Sequence, residues 1–259
     1  MRAHRSSSAS TRQRGVALYV VAVVLMLAML LALWASRTAL LLERLAHNSA
    51  DYQRAFEAAQ AMLEDAQQDI ALHLSAHATA TARSPHTLAF PRTAQDWHTW
   101  AQAVQSLPPP HCAYGLCLRR AQGMDFWNNH SALLQMLATG ARYGSYTGSS
   151  GSQHPTLSIQ TPQQGAWYWI EPFLLDPAHP ASCTHPAATA TCIQAELGFR
   201  ITALALGLKG NITSTGRSST MAVLQSVVAA HQQQAANATP PAVAPNGHVL
   251  RTLSWRQMQ

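Results

Sequence analysis

The sequence predicts an α+β protein in which one long N-terminal helix, transmembrane in its first half, packs on a small antiparallel β-sheet head. Three observations predict it. No Gly or Pro interrupts the chain between Val16 and Arg83. The first part of that stretch is uncharged and the second is amphipathic. Beyond it, Pro- and Gly-punctuated segments alternate with short runs rich in Val, Ile and aromatic residues, the mark of strands joined by turns.

The chain opens on a basic leader, residues 1–15. Arg2, Arg5, Arg12 and Arg14 account for four of the 17 Lys and Arg residues, and the remaining 13 face 11 acidic residues from Val16 onward. The formal charge of +6 is therefore concentrated at the N-terminus. Downstream, the one tight basic cluster is Arg119 with Arg120, too little for a phosphate-tracking surface, so no nucleic-acid partner is expected. From Val16 to Ala35 no residue is charged, and at about 1.5 Å rise per residue this run spans the roughly 30 Å hydrocarbon core of a bilayer. A cleaved secretory signal carries a shorter apolar region of about 7–15 residues followed by a small-residue site. With the arginines ahead of the run, the N-terminus stays in the cytoplasm and residues after 35 are exported across the membrane.

Residues 36–78 continue the helix in amphipathic form. Leu45, Tyr52, Phe56, Ala59, Met62 or Leu63, Ala66, Ile70 and Leu74 recur at steps of seven, four or three, marking one face. Glu43, Arg44, Asp51, Arg54, Glu57, Glu64, Asp65 and Asp69 mostly fill the other positions. The stripe is Ala-rich and lacks sustained large residues at coiled-coil spacing, so a head domain rather than a partner helix is expected to cover it from Leu45 to Leu74.

Residues 79–230 form that head. Its first part, through the triple Pro at 108–110, reads as irregular, and "GSYTGSSGSQHPT" reads as a loop. Strands are expected around Cys117 to Ala121, Trp167 to Phe173, Glu196 to Ala205 and Ser219 to Val228. Trp167 and Trp169 fall on one face of their strand and are expected in the core. Residues 231–247 are low in complexity and read as a flexible loop. Residues 248–259 return as an edge strand, with Trp255 expected to be anchored.

Four cysteines allow three connectivities, and in an exported domain disulfides persist. The local pairing Cys112–Cys117 and Cys183–Cys192 is favoured because each pair brackets a turn-like segment. The competing zinc site from Cys183, His185, Cys192 and His179 has no standard ligand spacing. Thirteen His residues are scattered, and no Gly-x-Ser-x-Gly, phosphate-binding Gly loop or His-Glu-x-x-His occurs. The expectation is a structural protein, not an enzyme, without metal or cofactor.

One family combines these features. The segment "RGVALYVVAVVLMLAMLLALWASRTALLLERLAHNSADYQRAFEAAQAMLEDAQQDI" resembles the N-terminal region of PilX-type minor pilins of type IV pili. "CAYGLC", "YWIEPF", "FRITALALG", "MAVLQSV" and "LSWRQ" resemble C-terminal motifs of that family in the same order. The resemblance implies a type IV pilin-like fold and a low-abundance subunit that helps initiate or cap a fibre. It further implies cleavage after Gly15 by a prepilin peptidase and N-methylation of the new terminus, Val16. Implied partners are the other minor pilins and the major pilin, met through the N-terminal helix. Major pilins place a Glu at the fifth mature position, where this chain has Val20. A type II secretion pseudopilin shares the same leader logic, and a single-pass periplasmic binding or adhesion protein is the reading outside fibres.

Overall fold

The computed structural model describes residues 14–74, 88–118, 125–175, 197–208, 210–213, 216–217, 220–232 and 248–258. Helix α1 runs Arg14–Leu74 over 61 residues. It is followed by α2 (Ala94–Gln105), β1 (Cys112–Ala113), β2 (Leu116–Cys117), a 3-10 turn (Phe126–Asn128), α3 (His130–Thr139), β3 (Ala166–Leu174) and β4 (Leu197–Leu206). A two-residue pair, β5 (Ile212–Thr213) and β6 (Gly216–Arg217), precedes the long strands β7 (Met221–Gln232) and β8 (His248–Met258). The chain divides into two compact units at Ala50/Asp51.

In the first unit, every described side chain from Val16 to Ala50 is exposed except the partly covered Thr38, and the helix is long and apolar enough to cross a membrane. Leu45 is 66% exposed. The covered stripe therefore starts later than the periodicity suggests, at Tyr52 and Ala55, where the second unit begins.

The second unit is built on a six-stranded sheet of order β1-β2-β3-β4-β7-β8. Its four long strands pair antiparallel. The expectation of a wholly antiparallel sheet is corrected at one point: β2 pairs parallel with β3 through Leu116 and Ile170. A parallel pair needs a long crossover, and here α3 lies in that connection.

Alternation along the strands sends side chains to two different cores. On one face Tyr168, Ile170, Phe199, Ile201, Leu224 and Val228 share a core with Met62, Ala66 and Ile70 of α1. Ala55, Ala58, Ala59 and Ala66 have no exposed surface, and these small residues let helix and sheet approach closely. Burying a side chain such as Met62 or Ile70 contributes about 1.5–3 kcal/mol. On the other face Trp167, Trp169, Leu204 and Val223 pack with Phe126, Trp127, Leu133 and Met136. Both faces of β3 are covered, which explains its near-continuous burial.

The helices α2 and α3 lie in segments whose sequence reads as irregular or without assigned structure. Each has a capped N-terminus. Thr93 Oγ1 accepts from the Asp96 amide at 3.1 Å while Asp96 Oδ2 accepts from the Thr93 amide at 3.2 Å, a reciprocal capping box. Asn129 caps α3 by accepting from the Ala132 amide at 3.1 Å.

Three carboxylates of α1, read from the sequence only as filling positions off the apolar stripe, reach into the head. Asp69 is 1% exposed and accepts a hydrogen bond from the Tyr168 hydroxyl at 2.9 Å. Asp65 is 3% exposed and accepts from the Gly144 amide at 2.9 Å and from the Thr147 hydroxyl. Asp51 accepts from the Leu208 amide at 2.9 Å and from the Thr220 hydroxyl. Asp51 and Asp69 are separated by about five full turns, so they share one face of the helix.

Removing the hydroxyl in Tyr168→Phe leaves the buried Asp69 carboxylate short of a donor. Urea unfolding of the variant is expected to show a loss of about 1–3 kcal/mol, larger than an exposed Tyr→Phe exchange produces.

Candidate functional site

The residues implied in processing lie at the start of α1. Gly15, Val16 and Val20 fall within its first two turns, and Val16 and Val20 are 67% and 52% exposed. No carboxylate occupies the Val20 position or either neighbour, Tyr19 and Val21.

The cysteines predicted to pair locally divide. Cys112 and Cys117 are joined by a disulfide across directly opposed positions of β1 and β2. The intervening Tyr114 and Gly115 both have positive φ, 55° and 77°, the geometry of a two-residue type I′ hairpin. This hairpin is tied down by the Ile170 amide, which donates to the Gly115 carbonyl at 2.7 Å. Cys183, Cys192, His179 and His185 lie outside the described residues.

Beside the disulfide, on the α3 side of the sheet, is an open groove. One wall is apolar, from Phe126, Trp127, Met136 and Trp169. The other is a polar row crossing four strands. Arg200 Nε donates to Glu171 Oε2 at 2.5 Å. Gln225 Nε2 donates to Thr202 Oγ1 at 3.1 Å, and Arg256 Nε donates to Gln225 Oε1 at 3.0 Å. Arg200 and Glu171 thus form an ion pair, while Arg256 is held by the neutral Gln225.

Arg142, which sequence reading passed over, ties down the loop before β3. The Arg142 guanidinium lies 4.0 Å from the Trp167 ring centroid and donates to the Gln164 carbonyl at 2.8 Å. Burial lowers its pKa to about 10, so it keeps its charge at neutral pH. Asp65 is raised above the ordinary carboxylate range by burial, against the hydrogen bonds from Thr147 and Gly144, which lower it. Trp255, expected to be anchored, is 48% exposed and makes an edge contact with Phe56 at 6.4 Å between centroids.

A long apolar N-terminal helix whose second half is docked on a β-sheet head defines a pilin-like α+β protein. Residues 14–64 match the PilX N-terminal family model. The match supports a PilX-type type IV pilus minor pilin over that segment, and the apolar helix fits single-pass membrane anchoring. No curated protein and no solved structure matches the chain.

The raised Asp65 carboxyl has a defined consequence for stability. The folded state holds this proton more tightly than the unfolded chain, whose carboxyl titrates near pH 4, so stability from this group falls as pH rises through the folded pKa. Asn at position 65 does not titrate, and its amide can still accept from Gly144 and donate to Thr147. The stability of wild type relative to Asp65→Asn is therefore expected to decline with rising pH from about 4 and then level off. Urea unfolding of both proteins across that range measures it.

Proposed function

We propose that this chain is a minor pilin processed after Gly15 and assembled through α1 as a tip or priming-complex subunit of a type IV pilus. The observation that carries the reading is the PilX N-terminal match on residues 14–64, starting one residue before Gly15. A residue without a side chain lets a membrane peptidase approach the backbone closely. Cleavage there removes the four arginines of the leader and makes Val16 the charged, N-methylated terminus. The exposed apolar side chains of Val16 to Leu45 then face either lipid or the corresponding helices of neighbouring subunits. The head lies in the periplasm and, after assembly, at the fibre.

Val20 supports the positional part. In a fibre shaft, a carboxylate at the fifth mature position neutralises the terminal amine of an adjacent subunit within an apolar bundle. Burying an unpaired carboxylate costs several kcal/mol. A subunit with no neighbour above it gains nothing from the carboxylate, and Val avoids that cost. The role in this reading is structural rather than catalytic.

Coexpression with a prepilin peptidase, followed by intact-mass measurement, is expected to show loss of residues 1–15, blocked in Gly15→Ala. An intact terminus, or cleavage near Ser36, favours a single-pass periplasmic protein outside any fibre. Immunogold labelling of an epitope-tagged head is expected at fibre ends. Label along the shaft refutes the tip assignment while leaving the processing result standing.

A further inference from the structure

The two edges of the main sheet differ. One edge is β1, two residues long and closed by the Cys112–Cys117 hairpin. The opposite edge is β8, an 11-residue strand whose pairing with β7 extends over ten positions. Among the described residues, nothing pairs with its other side. Natural sheets blunt long edges by shortening, covering or twisting them, because a free row of N–H and C=O groups recruits another strand.

The side chains of β8 are sorted by face. The register shift at Val227/Val228 leaves Leu253 as the extra residue, so Arg251 stands opposite Ala229 and Arg256 opposite Gln225. Ala229 and Gln225 are four apart on an unbulged strand and share a face, and so therefore do Arg251 and Arg256. That face is the groove side, where Arg256 meets Gln225. The other face carries Leu250, packed on the α1 core, and Trp255 against Phe56. Arg251, Trp255 and Arg256 are all exposed, and β8 contains no Asp or Glu. Arg and Trp are the residue types that dominate binding energy at protein interfaces.

We propose that the free edge of β8 takes an extended segment of a second, different polypeptide, acidic on the groove face and apolar on the α1 face. Added main-chain hydrogen bonds supply affinity, and the two faces supply selectivity. A second copy of this chain is a poor occupant. Symmetric antiparallel pairing of two β8 edges about Leu253 and Ser254 sets Arg251 of one copy opposite Arg256 of the other, and like charges directly opposed are destabilising. The proposal rests on residues 248–258 and does not depend on processing at Gly15.

The test uses the full chain in detergent micelles and two fluorescein-labelled nonapeptides, one alternating Glu and Val, the other alternating Lys and Val. Fluorescence anisotropy, corrected for empty micelles, is expected to show binding of the Glu peptide that weakens with salt, and none of the Lys peptide. Arg251→Glu is expected to weaken it roughly tenfold or more through like-charge contact, and Trp255→Ala to weaken it at both salt concentrations. Hydrogen exchange is expected to show new protection at alternate amides of β8. The proposal is overturned by absent binding, by equal binding of the Lys peptide, or by protection that appears elsewhere. It is equally overturned if β8 amides become protected with rising protein concentration alone, which places a second copy on the edge.

Discussion

The head depends on α1 being held in one register against the sheet, and buried carboxylates fix that register. Apolar contacts alone would let an Ala-rich stripe slide, because Ala55, Ala58, Ala59 and Ala66 present nearly the same shape at successive turns. Asp69 and Asp65 do not permit this. A buried carboxylate displaced by one turn loses its donors without regaining water, and such a loss costs several times a net hydrogen bond. The Tyr168 hydroxyl, the Gly144 amide and the Thr147 hydroxyl therefore specify where the helix sits.

Two glycines make the docking sterically possible. A Cβ on Gly207 would lie 1.9 Å from Asp51 Oδ2, so the loop after β4 approaches the helix carboxylate only because that position has no side chain. Gly144 has φ of 72°, and a Cβ there would fall 1.9 Å from the Ser149 carbonyl oxygen. This left-handed turn also aims the Gly144 amide at Asp65. At the helix end, Arg92 donates to the His73 carbonyl at 3.1 Å, satisfying an acceptor that the last turn leaves open. The Ser- and Gly-rich loop that looks unstructured as a sequence is thus an anchored contact.

Periodicity and composition carry far in this chain where one physical effect dominates. The uninterrupted run from Val16, the strands around Trp167, Phe199 and Leu224, and the returning strand at residues 248–258 are legible because apolar spacing alone determines them. The Cys112–Cys117 pair is legible because "CAYGLC" places a turn between two cysteines. The missed features are those set by polar groups acting at a distance. Asp65 and Asp69 look like solvent-facing charges, since their donors lie far along the chain. The capping signals at Thr93 with Asp96 and at Asn129 are local and readable, but neighbouring prolines and short helix length obscured them. Trp255 misleads for a different reason: an aromatic residue in a strand is normally covered, and β8 is an edge.

That edge bears on how the two units divide their work. Within the first unit, residues 16–35 carry only exposed apolar side chains and gain stability from a surrounding apolar medium, whether lipid or helices. The second unit, from Asp51, satisfies its buried carboxylates internally and needs no such medium. A subunit built this way can pass from membrane to assembly by exchanging one apolar environment for another around α1, with no demand on the head's own core. In the proposed role, specific recognition falls to the head's surface, because the helix's Val- and Leu-rich side chains discriminate weakly among apolar neighbours. On the described surface, the feature with unpaired main chain, sorted charge and an exposed indole is β8.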